Sequence, residues 1–231
     1  MLHRLLANLE DFRRTKSYDL VTASPLIAWY VIGLVRQMPF TLALASDLLQ
    51  GRIGLADFLQ LVALVGSFVL IFLLMYLLVA RRLPEQRAHG VLPRIVAVSG
   101  TFLGNAFLYL DPVRLSLPVQ VVADLLIIAG AAGSLVALSW LGRSFALMPE
   151  ARQLVTKGPY AFVRHPLYAA EMIGIAGLMV QFKQPWAVIL GGAVWGLQYW
   201  RTVFEERVLQ EAYPSYQTYR ERTWRFVPYV F

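Results

Sequence analysis

The sequence contains no cysteine, which excludes disulfide bonds, a thiol nucleophile and a thiolate metal site. Its three histidines, His3, His89 and His165, are scattered and form no HExxH or similar spacing, so we expect no metal. No GxGxxG motif follows a strand-like run, which excludes a soluble dinucleotide-binding fold. These absences favour a function that depends on neither a metal nor a thiol.

Charged residues are also scarce. They make up 15% of the 231 residues, hydrophobic residues make up 58%, and the mean hydropathy is +0.57. A soluble domain of this size could not bury so much apolar side chain. A membrane-spanning helix needs about 20 mostly apolar residues, and residues 61–80 supply such a run without a charge. Because the apolar runs do not alternate in polarity as the strands of a membrane barrel do, the sequence predicts an all-α, polytopic integral membrane protein.

Six hydrophobic helices are predicted, and the last two form a tight helical hairpin. They cover residues 18–38, 61–80, 95–110, 119–141, 167–182 and 186–204. We treat residues 1–231 as one transmembrane domain, with N-terminal scaffold or lipid-facing helices in 1–117 and a catalytic part in 118–231. Glycines such as Gly130, Gly192 and Gly196 are expected to let helix backbones approach closely.

The basic residues are distributed unevenly over the predicted helix ends. If the helices alternate from an inner N-terminus, 17 of the 21 lysines and arginines lie in inner segments, and the other 4 are Arg36, Arg52, Arg114 and Lys183. The positive-inside rule therefore predicts a multi-pass protein with both termini in the cytosol, in the inner membrane if the source is bacterial. These basic residues follow one membrane face, where anionic headgroups lie. We therefore expect the positive charge, a net +7, to interact with the lipid bilayer and not with nucleic acid.

The polar loop between the fourth and fifth predicted helices carries the most specific pattern. It reads LVTKGPYAFVRHPLY over residues 154–168, and an acidic pair, a YxxY pair and an RxxP pair follow it. The residues of these later pairs are Glu205, Glu206 and Leu209, then Tyr216 and Tyr219, then Arg225 and Pro228. In this order and spacing, residues 141–228 resemble the isoprenylcysteine carboxyl methyltransferase family, whose pattern includes related phospholipid methyltransferases.

The residues of the loop themselves indicate an anion site. Pro166 suits the first turn of a helix, where its missing N–H has no cost, so His165 falls near the N-cap. The free N–H groups of residues 167–169 and the positive end of the helix attract anions, and Arg164 adds a full charge beside them. The alternative is that Arg164 and His165 are ordinary residues of the inner face.

The resemblance implies that S-adenosylmethionine binds at this loop and at the acidic pair. Its carboxylate would occupy the helix start, and Glu205 or Glu206 would bind its ammonium group. The cofactor-binding residues that follow from the resemblance and the loop chemistry are Leu154, Val155, Gly158, Tyr160, His165, Pro166, Tyr168, Glu205 and Glu206. The tail, residues 213–231, is expected to fold back over this site with Arg225 inward.

Arg164, Glu171 and Arg201 are the candidate catalytic residues. A carboxylate in a spanning helix costs roughly 2.5 to 3.5 kcal/mol at the bilayer centre, so Glu171 is expected to have a function, or else to reach headgroups or pair with Arg201. Arg164 or Arg201 would hold an anionic methyl acceptor, whereas an amine acceptor would need a base such as Glu171 or His165. A helix-surface pair of Arg201 with Glu205, four residues apart, is the alternative to a role for these two in the site.

The sequence therefore predicts an enzyme, an S-adenosylmethionine-dependent methyltransferase that acts on a lipophilic acceptor. Carboxyl O-methylation of an isoprenylcysteine-type substrate is the favoured reaction, and phospholipid N-methylation or thiol methylation are the alternatives. From other classes, a nicotinamide-dependent membrane reductase and a non-enzymatic membrane scaffold stay open. Transport is disfavoured, because the polar groups gather at one end of the helices and not at the midplane.

Overall fold

Seven α-helices make up most of the computed structural model, which describes residues 15–229. They are α1 Lys16–Leu49, α2 Leu55–Ala80, α3 Leu92–Phe102, α4 Leu117–Leu141, α5 Pro166–Gln181, α6 Trp186–Ala212 and α7 Tyr216–Glu221. Short 3-10 helices cover Leu103–Tyr109, Gly142–Ser144 and Gly158–Ala161, and the strands β1 Gln86–Arg87 and β2 Glu150–Ala151 pair antiparallel. Four residues on which the predicted topology depends lie outside the described residues: Arg4, Arg13, Arg14 and Phe231.

The prediction of an all-α membrane protein is confirmed. Helices α1 and α2 are long and apolar enough to cross a membrane, as is α4 with its continuation to Ser144, and α5 is a shorter apolar helix. A helix lies in each of the six predicted runs, but four of the helices differ from these runs in extent. Helix α2 begins earlier, at Leu55, and α6 continues to Ala212. The third run changes from α-helix to 3-10 helix after Phe102. The first continues past its expected end to Leu49 with Pro39 inside it, because a membrane helix tolerates the lost backbone hydrogen bond of a proline.

Helices α4 and α5 pack most closely, because glycines leave no side chain between them. A Cβ on Gly130 would lie 2.6 Å from Gly174 Cα, and a Cβ on Gly177 would lie 2.6 Å from the Ala123 carbonyl oxygen. The expectation of close packing is therefore confirmed at Gly130. It is wrong for Gly192 and Gly196 within the described chain, since no atom lies within 4 Å of a Cβ at either position. The tight packing of α4 against α5 fixes the position of the start of α5, where the predicted loop ends.

The helix ends gather into two groups. At one end of the bundle, Asp19 at the start of α1 accepts hydrogen bonds from Arg81 after α2 and from Arg152 after α4. At the other end, Lys183 N donates to the Asp111 carbonyl oxygen. The first group contains the segments that the charge distribution assigns to the cytosol.

The predicted membrane topology can be tested. Reporter fusions after Gly51 and after the C-terminus should label opposite sides of the membrane, because the basic residues concentrate at one end of the helices. Paired alkaline phosphatase and fluorescent protein fusions provide the measurement. Labelling of both positions from the same side would contradict the assignment of six crossings.

Candidate active site

A cavity of about 750 Å³ lies where α4, α5 and α6 meet the polar loop. We call it the loop cavity; its wall comes from residues 141–168, from the end of α6 and from the tail. The predicted site residues that line it are Leu154, Val155, Tyr160, Arg164, His165, Tyr168 and Glu205. The chain therefore brings most of its predicted cofactor residues to one concave surface.

A second cavity of about 990 Å³ lies between the helices, and we call it the bundle cavity. Its wall is largely apolar, and it contains the other two candidate catalytic residues, Glu171 and Arg201. Gly158, Pro166 and Glu206 line neither cavity. The predicted set is thus divided between two neighbouring spaces and a supporting group of residues.

Gly158 shapes the loop instead of lining the cavity. Its φ is +61°, in the left-handed region that favours glycine. A Cβ at this position would lie 2.3 Å from the Trp140 ring. Only glycine therefore allows the GPY segment to turn against the end of α4.

The start of α5 agrees with the expected cap. His165 is the N-cap residue and Pro166 occupies the first turn. Ala169 N already donates to the His165 carbonyl oxygen at 3.1 Å. The three free donors expected here therefore reduce to those of Leu167 and Tyr168.

Glu206 is a buried carboxylate that is hydrogen-bonded to three cationic or imidazole side chains, and Arg220 Nε lies 4.0 Å from its Oε2. Arg164 Nε lies 2.9 Å from its Oε1, His165 Nε2 lies 3.2 Å from the same oxygen, and Arg225 Nη2 lies 2.9 Å from Oε2. Burial alone would raise the pKa of Glu206, but the hydrogen bonds from His165, Arg225 and Arg164 outweigh it and hold the pKa well below its usual range. Glu206 therefore joins the loop, α6 and the tail.

Glu205 has a different environment from its neighbour. The Tyr168 hydroxyl donates to its Oε1, His165 Nδ1 lies 3.9 Å from its Oε2, and the side chain lines the loop cavity. Its side chain keeps 21% of its surface exposed, against 6% for Glu206. Of the acidic pair, Glu205 is the member that faces the space where a ligand would bind.

The tail folds back over the loop, as expected, with Arg225 inward. Arg164 N donates to the Trp224 carbonyl oxygen at 2.7 Å, and His165 N donates to that of Arg225 at 3.1 Å. Tyr219 Oη donates to the Tyr160 carbonyl oxygen at 2.7 Å. The tail thereby closes one side of the loop cavity.

Glu206→Gln is expected to loosen this tail. Loss of the carboxylate leaves the partly buried Arg164 and Arg225 without their acid. Removing one partner of a fully buried ion pair costs about 3 to 5 kcal/mol. Trypsin should then cleave faster after Arg220, Arg222 and Arg225. Glu211→Gln, at an exposed carboxylate bonded to Gln86, lies outside the cleaved segment; it is the matched control and should leave the rate unchanged.

The ion pairs of Glu206 also predict that the stability of the folded tail depends on pH. Because the folded pKa of Glu206 is depressed, its stabilising contribution is complete above the ordinary glutamate pKa of about 4.3 and is lost as pH falls through the lower folded value. Protection of the tail from an acid-active protease should therefore decline only below about pH 4 in the wild type. Equal pH dependence in Glu206→Gln would contradict this role.

Arg201 is buried in the bundle cavity without an acidic partner. Its Nη1 donates to Gln198 Oε1 at 3.0 Å, its Nη2 donates to the Leu147 carbonyl oxygen at 3.3 Å, and its guanidinium lies 4.8 Å from the centre of the Tyr168 ring. Gln198 in turn donates to Glu171. Among residues 15–229, Arg201 forms no ion pair within 4.0 Å and its Nε has no hydrogen-bond partner. Arg201 therefore forms neither of the two ion pairs, with Glu205 and with Glu171, that the sequence offered as alternatives to a role in the site.

The two cavities meet at three residues. Phe145, Leu167 and Tyr168 line both of them. The Tyr168 hydroxyl bonds Glu205 on the side of the loop cavity, and its ring lies under Arg201 on the side of the bundle cavity. A polar ligand in the loop cavity and an apolar ligand in the bundle cavity would therefore both contact Tyr168.

Sequence reasoning missed several residues of the loop cavity, among them Phe145 and Arg152. Phe145 lies at the junction of the cavities, and the buried Arg152 forms part of the wall. Arg152 lies two positions before the recognised loop pattern and looks like any basic residue of the inner face. Its only signal is its position next to that pattern.

One family and two relatives are similar to parts of this chain. Residues 118–216 match the family described as phospholipid methyltransferase. The cobalt-zinc-cadmium resistance protein CzcN of Cupriavidus metallidurans is 35% identical over 112 residues, which is 46% of this chain and 51% of that protein. The nickel-cobalt-cadmium resistance protein NccN of Alcaligenes xylosoxydans xylosoxydans is 31% identical over 80 residues, 34% of this chain and 38% of that protein. The matches thus span about half, or less, of these relatives.

Proposed function

We propose that the chain is a membrane methyltransferase that uses S-adenosylmethionine and methylates a lipophilic acceptor, because its residues 118–216 match the phospholipid methyltransferase family. The observation that supports this most directly is the contact of the two cavities at Tyr168. The loop cavity lies at the helix ends and has charged side chains such as Arg164 and Glu205 in its wall, whereas the bundle cavity is largely apolar and lies between the helices. This arrangement suits a water-soluble methyl donor and a lipid-soluble acceptor.

The side chains of the loop cavity fit the donor. Glu205 offers a carboxylate to the ammonium group of the cofactor, and the N–H groups of Leu167 and Tyr168 at the start of α5 suit its carboxylate. Tyr160 and the tail residue Tyr219 offer aromatic faces to an adenine ring. S-adenosylmethionine, when bound, would supply an activated methyl group.

The residues of the bundle cavity favour an anionic acceptor. Arg201 is 5% exposed and has no acidic partner within 4.0 Å in the described chain. A guanidinium binds a carboxylate with two parallel hydrogen bonds, and such an acceptor would give Arg201 a direct ion pair. We therefore propose carboxyl O-methylation of an isoprenylcysteine-type substrate, with Arg201 orienting the carboxylate and Gln198 fixing Arg201.

No general base is needed in this reaction, because the acceptor is already an anion. The contribution of the protein is to align the carboxylate oxygen with the methyl group and to keep water away. Phe145 and Leu167 at the junction are suited to exclude water. Arg164, which lines the loop cavity, is engaged with Glu206 and with the carbonyl oxygens of Arg220 and Thr223, so its role is to hold the tail.

One observation favours a second candidate, an amine headgroup. Glu171 lines the same cavity as Arg201 and is bonded there to Gln198. A carboxylate in this position can accept the proton that an ammonium acceptor must lose before methylation. Phospholipid N-methylation is therefore the alternative reaction at this site.

The pH dependence of methyl transfer separates the two acceptors. A carboxylate acceptor with a solution pKa near roughly 3.5 is ionised throughout the neutral range, so the rate should be flat from about pH 6 to 8 and Glu171→Gln should lower kcat only modestly. Transfer of a radiolabelled methyl group to a prenylated cysteine, with a phosphatidylethanolamine control, provides the measurement. A steep rise with pH, together with a loss of about 10²- to 10⁴-fold in Glu171→Gln, would favour the amine.

A further inference from the structure

A buried ion network joins the N-terminal helices to the wall of the loop cavity. At its centre, Asp19 on α1 binds Arg81 Nε at 2.9 Å through Oδ2 and Arg152 Nη2 at 3.0 Å through Oδ1. These three residues are 2%, 5% and 2% exposed, respectively. Asp19 and Arg81 lie outside the matched residues 118–216, so the family pattern does not account for this network.

Arg152 is the link from Asp19 to the cavity. It lines the loop cavity, its side chain is fully buried, and its Nη2 also binds Glu150 Oε2 at 2.6 Å. Its Nη1 donates to the Arg82 carbonyl oxygen. The guanidinium is therefore held by α1, by the segment that follows α2 and by its own loop.

The backbone repeats this connection. Glu85 N donates to the Ala151 carbonyl oxygen at 2.7 Å, Ala88 N donates to that of Pro149 at 2.9 Å, and β1 pairs with β2. Residues 150–155, which contain four members of the cavity wall besides Arg152, are thus anchored on N-terminal residues.

Loss of the Asp19 charge would act on this wall. Two buried guanidiniums share one carboxylate, so neutralising it leaves Arg81 and Arg152 as like charges in a poorly solvated site. Glu150 forms its ion pair with Arg152 and acts on Arg81 only at longer range, and it belongs to the wall itself. The expected response is a shift of Arg152 and of residues 150–155, while Arg81 stays at the end of α2.

We propose that Asp19 is a positioning residue for the methyl-donor cavity, which it holds in shape through Arg152. This assignment rests on the proposed function for its ligand, but the geometry that it describes exists without a ligand. It gives α1, a helix outside the matched family region, a direct part in donor binding.

The test compares Asp19→Asn with Asp47→Asn in the full-length, detergent-purified protein. Asp47 lies at the other end of the same helix and forms an exposed ion pair with Arg52, so it controls for loss of one acidic charge on α1. Calorimetry with S-adenosylhomocysteine should show an affinity about tenfold weaker in Asp19→Asn, no change in Asp47→Asn, and partial rescue in Asp19→Glu. The KM for the acceptor should change less than twofold.

Two further measurements identify the route through Arg152. Arg152→Gln should weaken binding on its own, and adding it to Asp19→Asn should weaken binding no further, because both substitutions break one connection. Amide hydrogen exchange of residues 150–155, measured without ligand, should be faster in Asp19→Asn than in the wild type or in Asp47→Asn.

The outcomes are distinct for the two proposals. Additive losses in affinity, or unchanged exchange of residues 150–155 in Asp19→Asn, would overturn the positioning role even if the melting temperature fell. A wild-type protein that does not bind S-adenosylhomocysteine would overturn the proposed function, and the exchange measurement would still decide the role of Asp19.

Discussion

Arg201→Met is expected to lower kcat/KM for a carboxylate acceptor by about 10- to 100-fold, because a hydrogen bond to a charged group contributes about 1.5 to 3 kcal/mol. Methionine keeps an unbranched apolar stem and removes the donors and the charge. The affinity for S-adenosylhomocysteine should stay within about twofold of the wild type, since Arg201 lines the bundle cavity and not the loop cavity. Steady-state kinetics with both substrates varied, together with calorimetry, provide the measurement.

Two variants control this result. Arg201→Lys retains the cation without the planar pair of donors, so it should recover part of the activity. Arg207→Met removes an exposed arginine from the same helix and should behave as the wild type. An equal loss of donor affinity and acceptor turnover in Arg201→Met would contradict a role confined to the acceptor.

Glu205→Gln is expected to weaken the binding of S-adenosylhomocysteine by about 10- to 100-fold, because the amide keeps the size of the side chain but not the charge that pairs with an ammonium group. Methyl-acceptor KM should change little, since Glu205 does not line the bundle cavity. Calorimetry on the purified variant measures the first quantity, and initial rates at saturating donor measure the second.

The matched control for the charge is Glu211→Gln, a carboxylate on the same helix that binds the exposed Gln86 side chain. It should leave affinity unchanged. Tyr168→Phe removes the hydroxyl that donates to Glu205 and separates the loss of orientation from the loss of charge. Wild-type affinity in Glu205→Gln would show that the ammonium group lies elsewhere.

Much of the fold could be predicted, because bilayer thickness demands long apolar runs and the sequence contains them. Helix lengths were less predictable: Pro39 suggests an end to α1, but packing in a membrane tolerates it. The glycines show the same limit. Gly130 and Gly192 look alike in sequence, but only Gly130 faces a helix that lies close enough to need it.

The candidate site could be predicted only as a set of residues. The sequence places Glu205 and Glu206 side by side, and their roles separate because successive positions on a helix point in different directions. Glu206 meets Arg164, His165 and Arg225 from the loop and the tail, whereas Glu205 meets the cavity. Partners so far apart in the chain cannot be paired by spacing.

The link between Asp19 and Arg152 was not predictable for the same reason. The two residues are 133 positions apart. Asp19 lies in the first turn of α1, and Arg152 lies in the loop after α4. Only the packing of α1 against α2 and the return of the loop after α4 bring them together. A buried acid at the first turn of a spanning helix is the one local feature that indicates a partner.

Calorimetry of the purified wild-type protein with S-adenosylhomocysteine and, separately, with NADPH tests the central claim most directly. The proposed methyltransferase should bind S-adenosylhomocysteine at one site per chain and show no binding heat with NADPH. Saturable binding of NADPH with no binding of S-adenosylhomocysteine would contradict the claim and assign the loop cavity to a nicotinamide-dependent reductase.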